Sequence, residues 1–147
     1  MSSETSYATT LHVRDHCLCL AAQRAARALA RRFDEALRPL GLTSGQFSLL
    51  NALNRESPPS IGAVAALLVM DRTTLTANLK PLERRGLVST AVDPADRRGR
   101  LVTLTQAGRS LLEAAVPIWR LIHRQIDAQL APHTDGTMLR AGLRALA

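Results

Sequence analysis

The sequence predicts a mainly α domain with one small β-hairpin, an α+β fold built on a single core. Three observations carry this. The composition is 46% hydrophobic but only 3% aromatic, with Leu, Ala and Val filling the apolar positions, which suits packed helices. Apolar residues recur three and four apart over most of the chain, the period of a helix face. One alternating stretch, Arg100-Leu101-Val102-Thr103-Leu104-Thr105, follows a second short apolar run across a turn-rich segment, the pattern of a hairpin. A length of 147 residues supports one cooperative domain, expected over residues 11–147.

Residues 1–10 carry Ser, Thr and Glu without periodicity and read as a flexible N-terminal arm. From Leu11 to Leu40, Ala22, Ala26, Leu29, Phe33, Ala36 and Leu40 mark one long amphipathic helix, closed at Pro39-Leu40-Gly41. Thr43 and Gln46 have capping-box spacing, so a second helix starts there and buries Phe47, Leu50 and Leu53 until Pro58-Pro59 stops it. Ser60 caps a third helix carrying Val64, Leu67 and Leu68. Asp71 caps a fourth carrying Leu75, Leu79 and Leu82. The fourth ends at Glu83-Arg84-Arg85-Gly86, with cations in its last turn and glycine at the left-handed cap. Leu87 to Val92 reads as a strand, Asp93 to Gly99 as a basic loop, and Arg100 to Thr105 as the returning strand. A helical pattern then resumes through Leu112, Ala115, Trp119, Ile122, Ile126 and Leu130. Pro117 inside it predicts a kink or a fresh start. A short last helix is expected from Gly136 to Leu146.

Charge narrows the function. Nineteen Lys and Arg face 12 Asp and Glu, a formal charge of +7, nearly all of the cations being arginine. A polyanionic partner fits that balance. The sequence shows neither an apolar run of membrane length nor a signal-peptide core, so a cytoplasmic protein without a membrane partner is expected. Cys17 and Cys19 lie two apart in a predicted helix, where their side chains diverge, which suits a reducing compartment. His16 beside these cysteines is the nearest thing to a catalytic dyad, yet all lie on one helix with side chains pointing apart. The chain therefore reads as a non-enzyme. His12 and His16 could share a metal with His123, but they read as exposed helix histidines; neither a metal nor a cofactor is expected.

Helix, tight turn, helix and basic hairpin in that order suit major-groove recognition of double-stranded DNA, one helix bracing on the backbone while the next meets base edges. Arg72 can fork onto a guanine, and Thr73, Thr74 and Thr76 offer hydroxyls and methyls. Ser60, at the head of the bracing helix, belongs with them. Lys80 and the Arg84-Arg85 pair lie further along, where phosphates are the expected contacts. At the hairpin, Arg97, Arg98 and Arg100 suit a narrow minor groove, and Asp96 can orient one of them.

On Leu42-Thr43-Ser44-Gly45-Gln46-Phe47, Asp71-Arg72-Thr73-Thr74-Leu75-Thr76, Leu82-Glu83-Arg84-Arg85-Gly86-Leu87-Val88 and Asp93-Pro94-Ala95-Asp96-Arg97-Arg98 leading to Val102-Thr103-Leu104-Thr105-Gln106-Ala107-Gly108, the chain resembles the MarR family of bacterial regulators. The resemblance covers roughly residues 11–130. It implies a triangular homodimer in which helices of residues 11–40 and 107–147 interlock and winged helix-turn-helix lobes, residues 43–105, read adjacent major grooves. It implies Arg98 as the minor-groove arginine, with Asp96 its bracing carboxylate. It also implies a repressor released by a small ligand bound between the dimer helices and the lobe, for which His16, Cys19, Arg27, Phe33, Phe47, Trp119 and His123 are the candidates. An aromatic acid or its coenzyme A thioester is the expected effector class. The terminal helices carry broad apolar stripes with too little lobe to cover them, which independently suggests a dimer. Its symmetry predicts a near-palindromic operator with half-sites about one DNA turn apart.

Two alternatives accompany this reading. Cys19 resembles in position the reactive cysteine of the organic-hydroperoxide-sensing branch, although that branch's tyrosines are replaced here by Gln23 and Phe33. An architectural protein would also be basic and dimeric, but it would bind DNA without an effector and with little preference among sequences.

Overall fold

The structure, a computed structural model, describes residues 6–147. Residues 1–5 of the expected arm lie outside the described residues. Residues 7–10, expected in that arm, are instead the first turns of helix α1, Tyr7–His16, because the Ser6 hydroxyl accepts the Thr9 amide at 3.2 Å and caps it.

The expected single long helix is two. Cys17 takes an extended conformation (φ −80°, ψ 106°), and its sulfur accepts the Leu20 amide at 3.4 Å, capping α2, Leu18–Leu37. A thiol replaces the usual hydroxyl cap here, with neither glycine nor proline at the break. Helix α1 buries no residue and α2 buries only Leu37, so both extend from the lobe. A 3₁₀ turn, Arg38–Leu40, follows and ends on Gly41 at φ 65°.

The lobe begins with α3, Ser44–Leu53, whose Thr43 and Gln46 form the expected capping box. The Asp34 carboxylate reaches from α2 to accept the Ser44 amide at 2.6 Å. Ser60 caps α4, Ile61–Leu68, and Asp71 caps α5, Arg72–Arg84. Between them Val69 is left-handed (φ 53°), an uncommon conformation for a β-branched residue. It makes the tight turn, letting Met70 donate to the Ala65 carbonyl at 2.9 Å.

Strands β1, Val88–Asp93, and β2, Asp96–Leu104, pair antiparallel from Val88 opposite Leu104 to Asp93 opposite Asp96. The expected seven-residue loop contracts to a turn at Pro94-Ala95, so Arg97 and Arg98 join Arg100 on the strand. Asp93 makes this possible by accepting the Ala95 amide at 2.8 Å. The hairpin is anchored on the lobe where Val102 donates to the Pro59 carbonyl at 3.0 Å.

Helix α6, Gln106–Leu130, runs unbroken through Pro117. The proline removes one amide, but α6 packs on α2 and α3, and burial of Leu112 and Ala115 before it and Ile126 after it holds the segment as one helix. Helix α7, Gly136–Arg144, is capped by Asp135 and ends slightly short of the expected Leu146.

One core joins these elements. Leu37, Leu50, Leu75, Leu82, Val64 and Val102 are fully enclosed, with Leu42, Leu53, Leu79, Leu104, Leu112 and Ala115 around them. The expected apolar face of α5 is thus buried, as are Leu50 and Leu53 of α3, whereas Phe47 and, on α4, Leu68 are half-buried. Leu67 faces out of α4 at 56% exposure.

Candidate nucleic-acid interface and adjoining groove

The exposed start of α5 is organised by its cap. Asp71 Oδ1 accepts the Thr74 amide at 2.7 Å and Oδ2 accepts the Thr74 hydroxyl at 2.8 Å. The Thr74 amide, then its hydroxyl, hold the Asp71 carboxyl below the usual carboxylate range. Thr74 therefore keeps a methyl and lone pairs to offer, but its proton is committed to Asp71. Thr73, Thr76 and Lys80 are exposed beside it. Because the folded-state pKa of Asp71 is depressed, its capping contribution is present above the unfolded pKa and is lost as pH falls through the folded one. An Asp71→Asn variant should lose part of this acid sensitivity, seen as a shallower fall of thermal midpoint between mildly and strongly acidic buffer.

Arg72 does not extend forward as the sequence reading expects. Its guanidinium lies over the first turn of α4, with Nη2 only 2.7 Å from where a side chain on Gly62 would begin. Glycine leaves room for that fold-back, and forking onto a base requires the arginine to swing out. Ser60 is half-buried, its hydroxyl accepting the Ala63 amide at 3.1 Å.

On the hairpin, Asp96 Oδ1 accepts the backbone amide of Arg98 at 3.0 Å. The carboxylate thus orients the main chain that carries Arg98, where a brace on its guanidinium was expected. Arg100 Nη1 folds over the tip onto the carbonyls of Gly99 (3.1 Å) and Arg97 (3.4 Å). Glu83 and Thr90 are hydrogen-bonded, linking α5 to β1. Among the described residues the ion pairs are Arg14–Asp15 and Arg140–Asp127, both in the terminal helices, so the cations of α5 and β2 carry no ion-paired carboxylate. Arg85, grouped with the phosphate contacts in the sequence reading, instead donates Nη1 to the Gly41 carbonyl at 2.8 Å.

The seven candidate effector residues separate. Phe33, Trp119 and His123 come together where α2 meets α6, with ring centroids 5.4 Å apart for Phe33–His123 and 4.4 Å for Trp119–His123. Phe47 and Trp119 line a groove of about 520 Å³ with Asn51, Leu67, Val116 and Arg120. On the other side of Trp119, His123 shares a concavity of about 430 Å³ with Arg120, Arg124 and Arg140. His16 is elsewhere, stacked on His12 at 4.1 Å with Nδ1 against the His12 carbonyl. Cys19 is exposed on α2, its sulfur accepting the Gln23 amide at 3.3 Å. Arg27 is exposed and lines neither space. Sequence reasoning missed Asn51, Leu67 and Arg120. The available signal was the polar face of α3 opposite Leu49, Leu50 and Leu53.

The MarR family profile matches residues 40–99, from the end of the 3₁₀ turn through Arg97 and Arg98 of the hairpin. The transcriptional regulator HosA of Escherichia coli O111:H- is 40% identical over 92 residues, 61% of this chain and 67% of HosA. The chain belongs to the MarR family. The transcriptional activatory protein BadR of Rhodopseudomonas palustris is 41% identical over 76 residues, 50% of this chain; the chain thus spans 43% of this curated relative. MosR of M. tuberculosis, solved in complex with DNA, superposes with TM-score 0.79 at 37% identity, covering 89% of this chain and 93% of MosR. BpsR of Bordetella bronchiseptica, whose DNA binding is regulated by 6-hydroxynicotinic acid, superposes with TM-score 0.72 at 28% identity over 89% of this chain and 91% of BpsR. These relatives are regulators, and the shared fold is the winged helix-turn-helix with β1 and β2 as the wing. No helix of the described residues is long and apolar enough to cross a membrane.

Proposed function

We propose that this MarR-family chain is a sequence-specific DNA-binding transcriptional regulator, cytoplasmic and homodimeric, that represses and lets go of its operator when a small organic effector binds. One observation carries the DNA-binding reading. Helix α5 and the wing, which packs on it through β1, each expose polar or cationic residues, Arg72, Thr73, Thr76 and Lys80 on the one and Arg97, Arg98 and Arg100 on the other; among the described residues these cations carry no ion pair and suit phosphates and base edges. MosR, solved with DNA, has the same fold. Dimerisation is supported by α1 and α7, which bury nothing within one chain and expose Tyr7, Val13, Met138 and Leu143; apolar faces of this kind call for a partner. The groove beside Phe47 and Trp119 supports an effector with an aromatic or acyl body, and Arg120 at its edge suits an acid group. BpsR, answering to an aromatic acid, supports the same class.

The test is a fluorescence-polarisation titration against the DNA flanking the gene, with and without a panel of aromatic acids and their coenzyme A thioesters. Tight, sequence-dependent binding abolished by one of them is the expected result. Weak binding equal on all sequences would establish the architectural alternative in its place.

The exposed thiol of Cys19 favours a second reading, release by organic hydroperoxide. Cys19→Ser is then expected to bind the operator as wild type does and to stay bound under peroxide. Release of the variant at the wild-type peroxide concentration removes the thiol from the mechanism.

A further inference from the structure

Helix α5 packs on α4 and β1, whereas α2 packs on α3 and α6. Helix α5, the recognition helix of the reading proposed above, and α2, which we term the arm helix, are thus joined mainly through intermediaries. Arg85 is a direct tie between their ends. Gly41 ends the 3₁₀ turn that follows α2, and Gly86 closes α5, both in the left-handed conformation. Gly41, at φ 65°, donates to the Arg38 carbonyl at 2.9 Å; Gly86, at φ 69°, donates to the Glu83 carbonyl at 2.9 Å, and Leu87 to the Leu82 carbonyl at 3.0 Å. Arg85 is the last residue before Gly86, so the cap fixes the direction in which its side chain leaves α5. Its Nη1 donates to the Gly41 carbonyl at 2.8 Å, and its Nη2 lies 3.3 Å from the position a Gly41 side chain would take. Glycine at 41 therefore supplies the left-handed turn and leaves room for the guanidinium at once.

We propose that Arg85 is a positioning residue: its bond from the end of the recognition helix to the Gly41 carbonyl at the end of the arm sets the angle between them, and so the half-site spacing the dimer prefers. The inference rests on the DNA-reading dimer proposed above. A phosphate contact adds affinity at every spacing alike, because it is made within each half-site. A residue that fixes the angle of the lobe to the arm acts on the distance between two lobes, and half-site separation follows that distance.

The experiment compares wild type, Arg85→Ala and Arg84→Ala on operators whose half-sites are moved together or apart by single base pairs. Wild type is expected to prefer one spacing, and Arg85→Ala to reduce that preference by roughly five- to tenfold while leaving base preference within each half-site intact. Arg84→Ala should weaken binding equally at every spacing. Spacing preference unchanged in Arg85→Ala, with affinity lowered uniformly, overturns the proposal and makes Arg85 a phosphate contact. A readout without DNA separates this from failure of the DNA-binding reading. Spin labels at Ala77→Cys in a Cys17→Ser, Cys19→Ser background report the distance between the two recognition helices. Arg85→Ala should broaden that distribution; an unchanged distribution overturns the latch, whatever the DNA result.

Discussion

Arg98→Ala is expected to weaken operator binding by about ten- to a hundredfold, the range set by loss of one well-placed arginine contact. The side chain is exposed on β2, three residues beyond Ala95 of the turn, and the backbone amide of Arg98 is held by Asp96. That bond fixes where the arginine leaves the strand without engaging its guanidinium, so the charge remains available to the negative potential of a narrow minor groove. Nothing in the core touches position 98, so the variant should keep wild-type thermal midpoint and dimer mass. The slope of log affinity against log salt should also fall, by about one contact. Wild-type affinity of a folded Arg98→Ala dimer would show that the hairpin does not enter the groove. Asp96→Ala offers an intermediate case: it keeps the arginine but releases the strand that aims it, and should lose less than Arg98→Ala.

The lobe was legible because its signals are local. Thr43 with Gln46, Ser60 and Asp71 each cap the helix start expected of them, and Gly86 closes α5 in the left-handed conformation. These depend on side chains within three or four residues of the amide they satisfy. The break at Cys17 was not legible, because cysteine is seldom a cap and the apolar spacing runs through it. At Pro117 the fresh start that the sequence allowed does not occur: the local penalty is real, but packing of α6 against α2 and α3 outweighs it. In the interface the residue types were readable and their aims were not. Arg72 folds over Gly62 and Arg85 reaches a carbonyl 44 positions away, partners that only the tertiary structure supplies. The aromatic cluster was half legible. Trp119 and His123 share a helix face by spacing, whereas Phe33 joins them across α2 and α6.

Gly108→Ala should be among the most destabilising single substitutions in the chain, although helix propensity alone favours alanine by about 1 kcal/mol. Gly108 is buried in the first turn of α6. A side chain there would overlap the Leu87 carbonyl oxygen and stand 2.6 Å from Leu104 Cδ1. The first obstacle is backbone, which cannot rotate aside. Thr105 holds this joint: its amide donates to the Leu87 carbonyl at 3.1 Å, its hydroxyl donates to the Gly86 carbonyl at 2.7 Å, and the same oxygen accepts the Gly108 amide at 3.1 Å. The end of α5, the base of the wing and the start of α6 therefore meet within one turn of chain. Displacing α6 to admit a methyl breaks these bonds together. A net loss of about 3 kcal/mol is expected, lowering the thermal midpoint by roughly 10 °C at fixed protein concentration. Gly45→Ala is the counterpart, since Gly45 is exposed in the first turn of α3 with only Thr43 Oγ1, at 4.0 Å, near the added atom; there propensity acts alone and the midpoint should rise or hold. Opposite signs for the same substitution on two helices would show that close approach between the wing and α6, and not glycine's flexibility, requires Gly108. A neutral Gly108→Ala would mean that α6 can slide on Leu87 without cost.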